Sequence, residues 1–188
     1  MRTSDLESCR DEELVRAFVA KGDAQALEVV LRRHQQRVFG LAYRILGNRA
    51  DALDATQEAL INVFRKAHSF KGEAAFTTWL YRLAVNACHD LARKRSRAPE
   101  PLETVEVADP YPDPVAASDD RLAIKQALSF LSEEQRAAVV MRDLYGLSYQ
   151  EIAEATRVAV GTVKSRIARA RISLAGRLGT VETKEPGG

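Results

Sequence analysis

Cysteine is almost missing: Cys9 and Cys88 are the only two in 188 residues. That excludes a disulfide framework and fits two free thiols in a reducing compartment. Neither stands at metal-ligand spacing with His34, His68 or His89, and the adjacency of Cys88 and His89 is no substitute for the four converging ligands of structural zinc. No metal and no cofactor is expected. Aromatic residues make up only 6%, while Ala and Leu are plentiful, which favours helices over strands. No apolar run approaches the ~20 residues needed to span a bilayer. No charged-then-apolar leader with a small-residue cleavage site opens the chain, so a cytoplasmic location is expected. There is also no glycine-rich phosphate loop, no Ser/His/Asp set in a motif context and no paired carboxylates in a recognisable cleft. No catalytic residue is assigned, and the chain is not expected to be an enzyme.

Proline is confined. Five of the six prolines fall between Pro99 and Pro114. The same stretch lacks positive charge: from Ala98 to Asp120 there are seven acids and no Lys or Arg. Proline blocks helix and like charges repel, so 98–120 is expected to be an extended acidic linker. The converse absence lies further on, where Ala155 to Val181 holds six bases and no acid. A second basic run, RKRSR, occupies 93–97. The net charge of +2 thus hides two basic blocks around an acidic one, an arrangement that suggests two nucleic-acid contacts joined by a connector that avoids or imitates nucleic acid. The fold expected is all-α: two small helical domains, 10–97 and 121–179, joined by the linker 98–120 and followed by a disordered tail, 180–188.

In the first domain the apolar spacing predicts helices over 11–21, about 23–46, about 49–67 and about 76–95. The third carries Leu53, Leu60, Ile61, Val63 and Phe64 as its apolar set. Gly22 and Gly47 end the first two, and SFKGEAAF is a loop. In the second domain Ser132 with Gln135, and Ser148 with Glu151, fit the capping-box pattern, with Leu147 and Ile152 as a hydrophobic staple. Helix starts near 133 and 149 follow.

A helix over 149–155, a short turn and a second helix from about 161 to 176 make a helix-turn-helix. Val158 and Val160 would pack in the turn. Val163, Ile167, Ile172 and Leu174 would anchor the second helix inward, leaving Lys164, Ser165, Arg166, Arg169 and Arg171 outward. Such a helix fits the major groove, where Arg and Lys pair with guanine or clamp phosphate. A solvated basic face is the plainer alternative, but cap, turn, charge and spacing all agree with DNA binding. Arg157 stands where such turns often use glycine. On the fourth helix of the first domain, Trp79 and Asn86 lie two turns apart on one face, flanked by Arg82 and Arg93. They could stack and hydrogen-bond bases, although spacing alone favours Trp79 as core and Asn86 as a surface amide.

Three blocks, DALDATQEALINVFRKAHSFKG, FTTWLYRLAVNACHDLARKRSR and ALSFLSEEQRAAVVMRDLYGLSYQEIAE with VGTVKSRIARAR, change that balance. In order and spacing they resemble an extracytoplasmic-function (ECF, group 4) sigma factor of bacterial RNA polymerase, which consists of regions 2 and 4 of the sigma-70 family and little between them. The resemblance implies a promoter-specificity subunit. The helix with Asp54, Gln57 and Glu58 would dock on the clamp helices of the polymerase's largest subunit, and region 4 on its beta flap. The loop 69–77 with Phe70 and Lys71, and then Trp79, Arg82, Asn86 and Arg93, would capture and melt the −10 element, with a base leaving the stack. Lys164, Ser165, Arg166, Arg169 and Arg171 would read the −35 element. Partners would be core RNA polymerase, promoter DNA and an anti-sigma factor, in this family often membrane-anchored. The linker would stand in for nucleic acid in the polymerase cleft. A dimeric helix-turn-helix repressor is the competing class, but it leaves the Trp79 block and the Asp54–Glu58 helix without a task. A protein-interaction scaffold leaves the basic helix unexplained.

Overall fold

The computed structural model describes residues 6–97 and 119–181. Expectations for the body of the linker, 98–118, and for 182–188 lie outside these residues. All regular structure among the described residues is helical: α1 (Asp11–Lys21), α2 (Ala24–Leu46), α3 (Arg49–Lys66), a 3-10 turn (Ala67–Ser69), α4 (Phe76–Arg97), α5 (Asp119–Ser129), α6 (Glu133–Val139), a π-turn (Val140–Leu144), α7 (Tyr149–Thr156) and α8 (Val160–Val181).

Each boundary has a local cause. Asp23 accepts from the Ala26 N–H at the start of α2, and Asn48 does the same for Asp51 at the start of α3. Gly22 and Gly47 close α1 and α2 in left-handed conformation, which glycine adopts without a Cβ penalty. Ser148 and Glu151 form the full reciprocal capping box of α7, with Leu147 and Ile152 both buried beside it. Ser132 caps α6 by accepting from the Gln135 N–H.

The first module packs α2 against α3 and α4, around Phe39, Leu41, Ile45, Phe76 and Leu80. Cys88 belongs to this core. Burial pushes its thiol well up, so it stays protonated and unreactive. The second module packs α6 and α7 on α8 through Met141, Ile152, Val163 and Ile167. One burial expectation needs correction. Ile172 does not anchor α8; it is 75% exposed. Nine residues from Val163 is two and a half turns, so it sits on the opposite face, and the inward stripe is Val163, Ile167, Ala170 and Leu174. On α3, Ile61 and Phe64 are exposed at 44% and 58% rather than core. α8 runs to Val181, past the helix end expected near 176.

The two modules do not stand apart. Their buried residues form one continuous cluster, and polar bonds stitch the seam. Arg136 donates to the Ile45 carbonyl at 2.9 Å, at the C-terminal end of α2. His89 Nδ1 meets Glu133 at 2.9 Å, and Lys125 Nζ donates to the Tyr43 hydroxyl at 2.6 Å. The π-turn aims Tyr145 across the seam, where its hydroxyl donates to the Arg37 carbonyl and its ring meets Tyr81 edge-on at 5.0 Å. Burial pushes that hydroxyl up to about 12, which keeps it a donor.

Candidate nucleic-acid interface

α7 and α8 form the helix-turn-helix, and its turn depends on Arg157. This is the one non-glycine residue at positive φ among the described residues, at φ 56° and ψ 42°. Its N–H donates to the Ala153 carbonyl and closes α7. A left-handed L-residue costs roughly 1–2 kcal/mol. Arg157→Gly should therefore raise the unfolding free energy by about 1 kcal/mol and the melting temperature by ~2–4 °C. A fall on thermal denaturation would mean that the arginine side chain itself stabilises the turn.

On α8 the outward stripe is Ser165, Ala168, Arg169 and Ile172, all exposed. Arg169 lies over Ser165, donating to its carbonyl at 3.3 Å and its hydroxyl at 3.4 Å. Lys164 lies to one side, its ammonium 5.7 Å from the Tyr149 ring centre. Arg166, on the other side, is half-buried and near Glu134. That carboxyl is held below its usual range mainly by a backbone N–H and the Ser132 hydroxyl, with Arg166 assisting. Arg171 is engaged: its guanidinium grips both oxygens of Asp143, at 2.5 and 3.1 Å. Ile172 is the residue that sequence reasoning missed. A strict count of helical phase from Val163 would have placed it on the groove-facing stripe.

The second cluster surrounds a cavity of about 300 Å³ at the loop before α4. Phe70, Lys71, Trp79 and Arg82 all line it. Trp79 is also core, 5% exposed, with its ring 5.4 Å from Phe70 and 5.8 Å from Phe76. The core reading and the cavity reading therefore hold together: Trp79 is buried and also lines the cavity. Asn86 is half-buried two turns further along α4 and is not among the residues lining the cavity. Arg93 is exposed and pairs with Asp90. In the RKRSR run, Arg95 pairs with the buried Asp51, so part of that basic block serves the fold.

The third group lies on α3. Asp54, Gln57 and Glu58 are all exposed. Glu58 accepts from Asn62 at 3.0 Å and pairs loosely with Arg65 at 3.6 Å. The stripe continues through the exposed Ile61 and Phe64, which the sequence marks only as part of the helix's apolar set. Their helical spacing from Asp54 and Gln57 was the available signal. Among the described residues no group of His, Cys, Asp and Glu could hold a metal ion, and no helix is long and apolar enough to cross a membrane.

The outward basic helix on one module defines a nucleic-acid-binding protein, and the aromatic cavity at the seam with the other carries Lys71 and Arg82 beside Glu73, Glu151 and Glu154. Family models identify both parts: Sigma-70 region 2 matches residues 30–98, and Sigma-70, region 4 matches residues 121–174. The chain is 43% identical to the ECF RNA polymerase sigma factor SigM of Mycobacterium tuberculosis over 174 residues, 92% of this chain and 87% of that one. It is 35% identical to the ECF RNA polymerase sigma-E factor of Escherichia coli K12, over 88% of this chain and 92% of that one. Among solved structures it resembles the sigma factor RpoE of Bartonella quintana, crystallised with the anti-sigma factor NepR. The TM-score is 0.65 at 27% identity, covering 82% of this chain and 96% of that one. The fold is shared with CnrH, solved with the cytosolic domain of CnrY, at a TM-score of 0.64. The chain belongs to the ECF group of the sigma-70 family.

Proposed function

We propose that this sigma factor directs promoter-specific initiation through three surfaces. In this reading residues 10–97 act as region 2 and 121–179 as region 4. The outward face of α8, with Lys164, Ser165, Arg166 and Arg169, reads the −35 duplex, and Arg171 adds charge while braced by Asp143. The cavity at Phe70, Lys71, Trp79 and Arg82 receives a base of the melted −10 strand, with Asn86 and Arg93 following the strand along α4. Asp54, Gln57 and Glu58 dock on the clamp helices of core polymerase, and region 4 meets the beta flap. Phosphodiester chemistry belongs to the polymerase. The crystallised relative bound to an anti-sigma factor supports similar control here, and pull-down from the membrane fraction tests for a membrane-anchored partner.

The observation that carries the reading is the coexistence, in one chain, of an outward basic helix and a cavity with an aromatic wall, two cations and three carboxylates. A duplex-binding repressor needs only the first. The test is run-off transcription with sigma-free core polymerase and fragmented genomic DNA of the source organism. Discrete starts sharing two upstream elements are expected. Duplex binding without starts would return the chain to the repressor class.

The exposed pair Ile61 and Phe64 adds an apolar centre to the docking stripe. Interface aromatics that become fully desolvated often contribute 2 kcal/mol or more. Phe64→Ser should weaken core-polymerase binding by about 1–2 kcal/mol and leave the −35 duplex affinity of the free chain unchanged. Unaltered polymerase affinity by titration would remove Phe64 from the docking surface.

A further inference from the structure

The −10 cavity lies where the Thr78 hydroxyl donates to Glu151 Oε1 at 2.9 Å. Elsewhere along the seam is a cavity of about 490 Å³ that shares no residue with it. That volume suits an organic small molecule, whose sites run from roughly 300 to 1,000 Å³. Four cations line it, Arg37 and Arg44 of α2, Lys125 of α5 and Arg136 of α6, and no acid does. What they bond is neutral. Arg44 donates to the Gly40 carbonyl at 2.9 Å, Lys125 to the Tyr43 hydroxyl at 2.6 Å, and Arg136 to the carbonyls of Ile45 and Leu131. Glu133, the acid that acts on Arg136, is engaged by His89 at 2.9 Å. Burial lowers the Arg136 pKa, and its Nε is buried without a hydrogen-bond partner. Positive charge is thus gathered in a partly dehydrated place with nothing to neutralise it, where like charges repel. The rest of the wall is aromatic or apolar. Tyr81 and Tyr145 meet edge-on at 5.0 Å. Ile124 and Leu144 line the cavity while 43% and 53% exposed.

We propose that this cavity binds an organic phosphate: a doubly charged head held by the three arginines and Lys125, on a compact ring-bearing body that covers Ile124, Leu144 and the tyrosines. Four cations call for more than a single negative charge, and guanidinium forks match phosphate oxygens in pairs. Arg37 and Arg44 stand two turns apart on one face of α2, so they approach the head from one side. Lys125 and Arg136 approach it from the other module. The ligand would tie α2 to α5 and α6 and give the sigma factor a small-molecule input of its own. The inference stands apart from the three surfaces assigned above.

The test is calorimetric titration of the full chain with 1-naphthyl phosphate, at about pH 8, where its head carries two charges. Inorganic phosphate and 1-naphthol supply the head and the body separately. The naphthyl phosphate should bind at one site, at least about tenfold more tightly than either half. At 100 times its Kd it should raise the melting temperature by about 5–10 °C. Arg37→Gln with Lys125→Gln, both exposed, should weaken it by at least about tenfold. Ile124→Glu removes no polar bond, sets a carboxylate in the wall and should weaken it similarly. Arg16→Gln with Lys21→Gln, two exposed cations of α1, removes the same charge elsewhere and should change nothing. Absence of binding overturns the proposal, as does undiminished binding by both cavity variants or an equal loss in the α1 control. Inorganic phosphate binding as tightly overturns the organic body, and 1-naphthol binding as tightly overturns the anion.

Discussion

Arg169→Ala should weaken binding to a −35 duplex by about 1–3 kcal/mol, roughly five- to 150-fold. Arg169 stands in the middle of the outward stripe of α8, beside Ser165 and one turn before Ile172. Its two bonds to Ser165, at 3.3 and 3.4 Å, are long. They orient the guanidinium without consuming it, and a planar fork so placed can bond bidentately to guanine. Anisotropy on a promoter duplex and on single-base variants separates two outcomes. A base reader loses discrimination at one position. A phosphate contact loses affinity uniformly, and the salt slope falls by about one. Arg171→Ala is expected to be milder, because its guanidinium is committed to Asp143. Undiminished binding by Arg169→Ala would remove α8's outward stripe from the interface.

Trp79→Ala should lose about 3–5 kcal/mol of stability in urea, the usual result of truncating a buried tryptophan. Its ring packs against both Phe70 and Phe76, which also meet each other at 5.7 Å, so its removal strips contacts from both rings. Lost strand binding in that variant would therefore say nothing about recognition. Two companions separate the roles. Trp79→Phe keeps much of the buried area. Arg82→Ala, half-buried at the cavity rim, should stay within about 0.5 kcal/mol of wild-type stability and still bind the −10 strand less well in the holoenzyme. A loss below about 1 kcal/mol for Trp79→Ala would show that the ring is not a structural element.

Helix ends were legible in the sequence because their causes are local. Asp23, Asn48, Ser132 and Ser148 each bond a backbone N–H three residues on, and such bonds depend on a few neighbouring residues. At Arg157 the sequence marked only a position where such turns often use glycine, and the left-handed conformation is a finding of the structure. Outward faces were less so. Ile61, Phe64 and Ile172 look like core because they are apolar, yet position on the helix, not side-chain type, decides what a helix buries. The seam between modules left no trace in the sequence. Thr78 and Glu151 are 73 residues apart, and the acidic, proline-rich segment between them suggests separation. Nothing in either local sequence announces that a capping carboxylate will also accept a bond from another module.

The π-turn has a consequence for the family's history. From Val140 to Leu144 the helix widens so that the Tyr145 N–H reaches the Val140 carbonyl, five residues back. A wide turn of this kind holds one more residue than an α-helical turn does. Because the wide turn absorbs that residue, a relative lacking it would close the stretch as a regular α-helical turn with the flanking helices still in phase. The change would be local to the Tyr145 contact with Tyr81. In an alignment such a one-residue gap would mark the loss of that contact and not a new arrangement of the two halves.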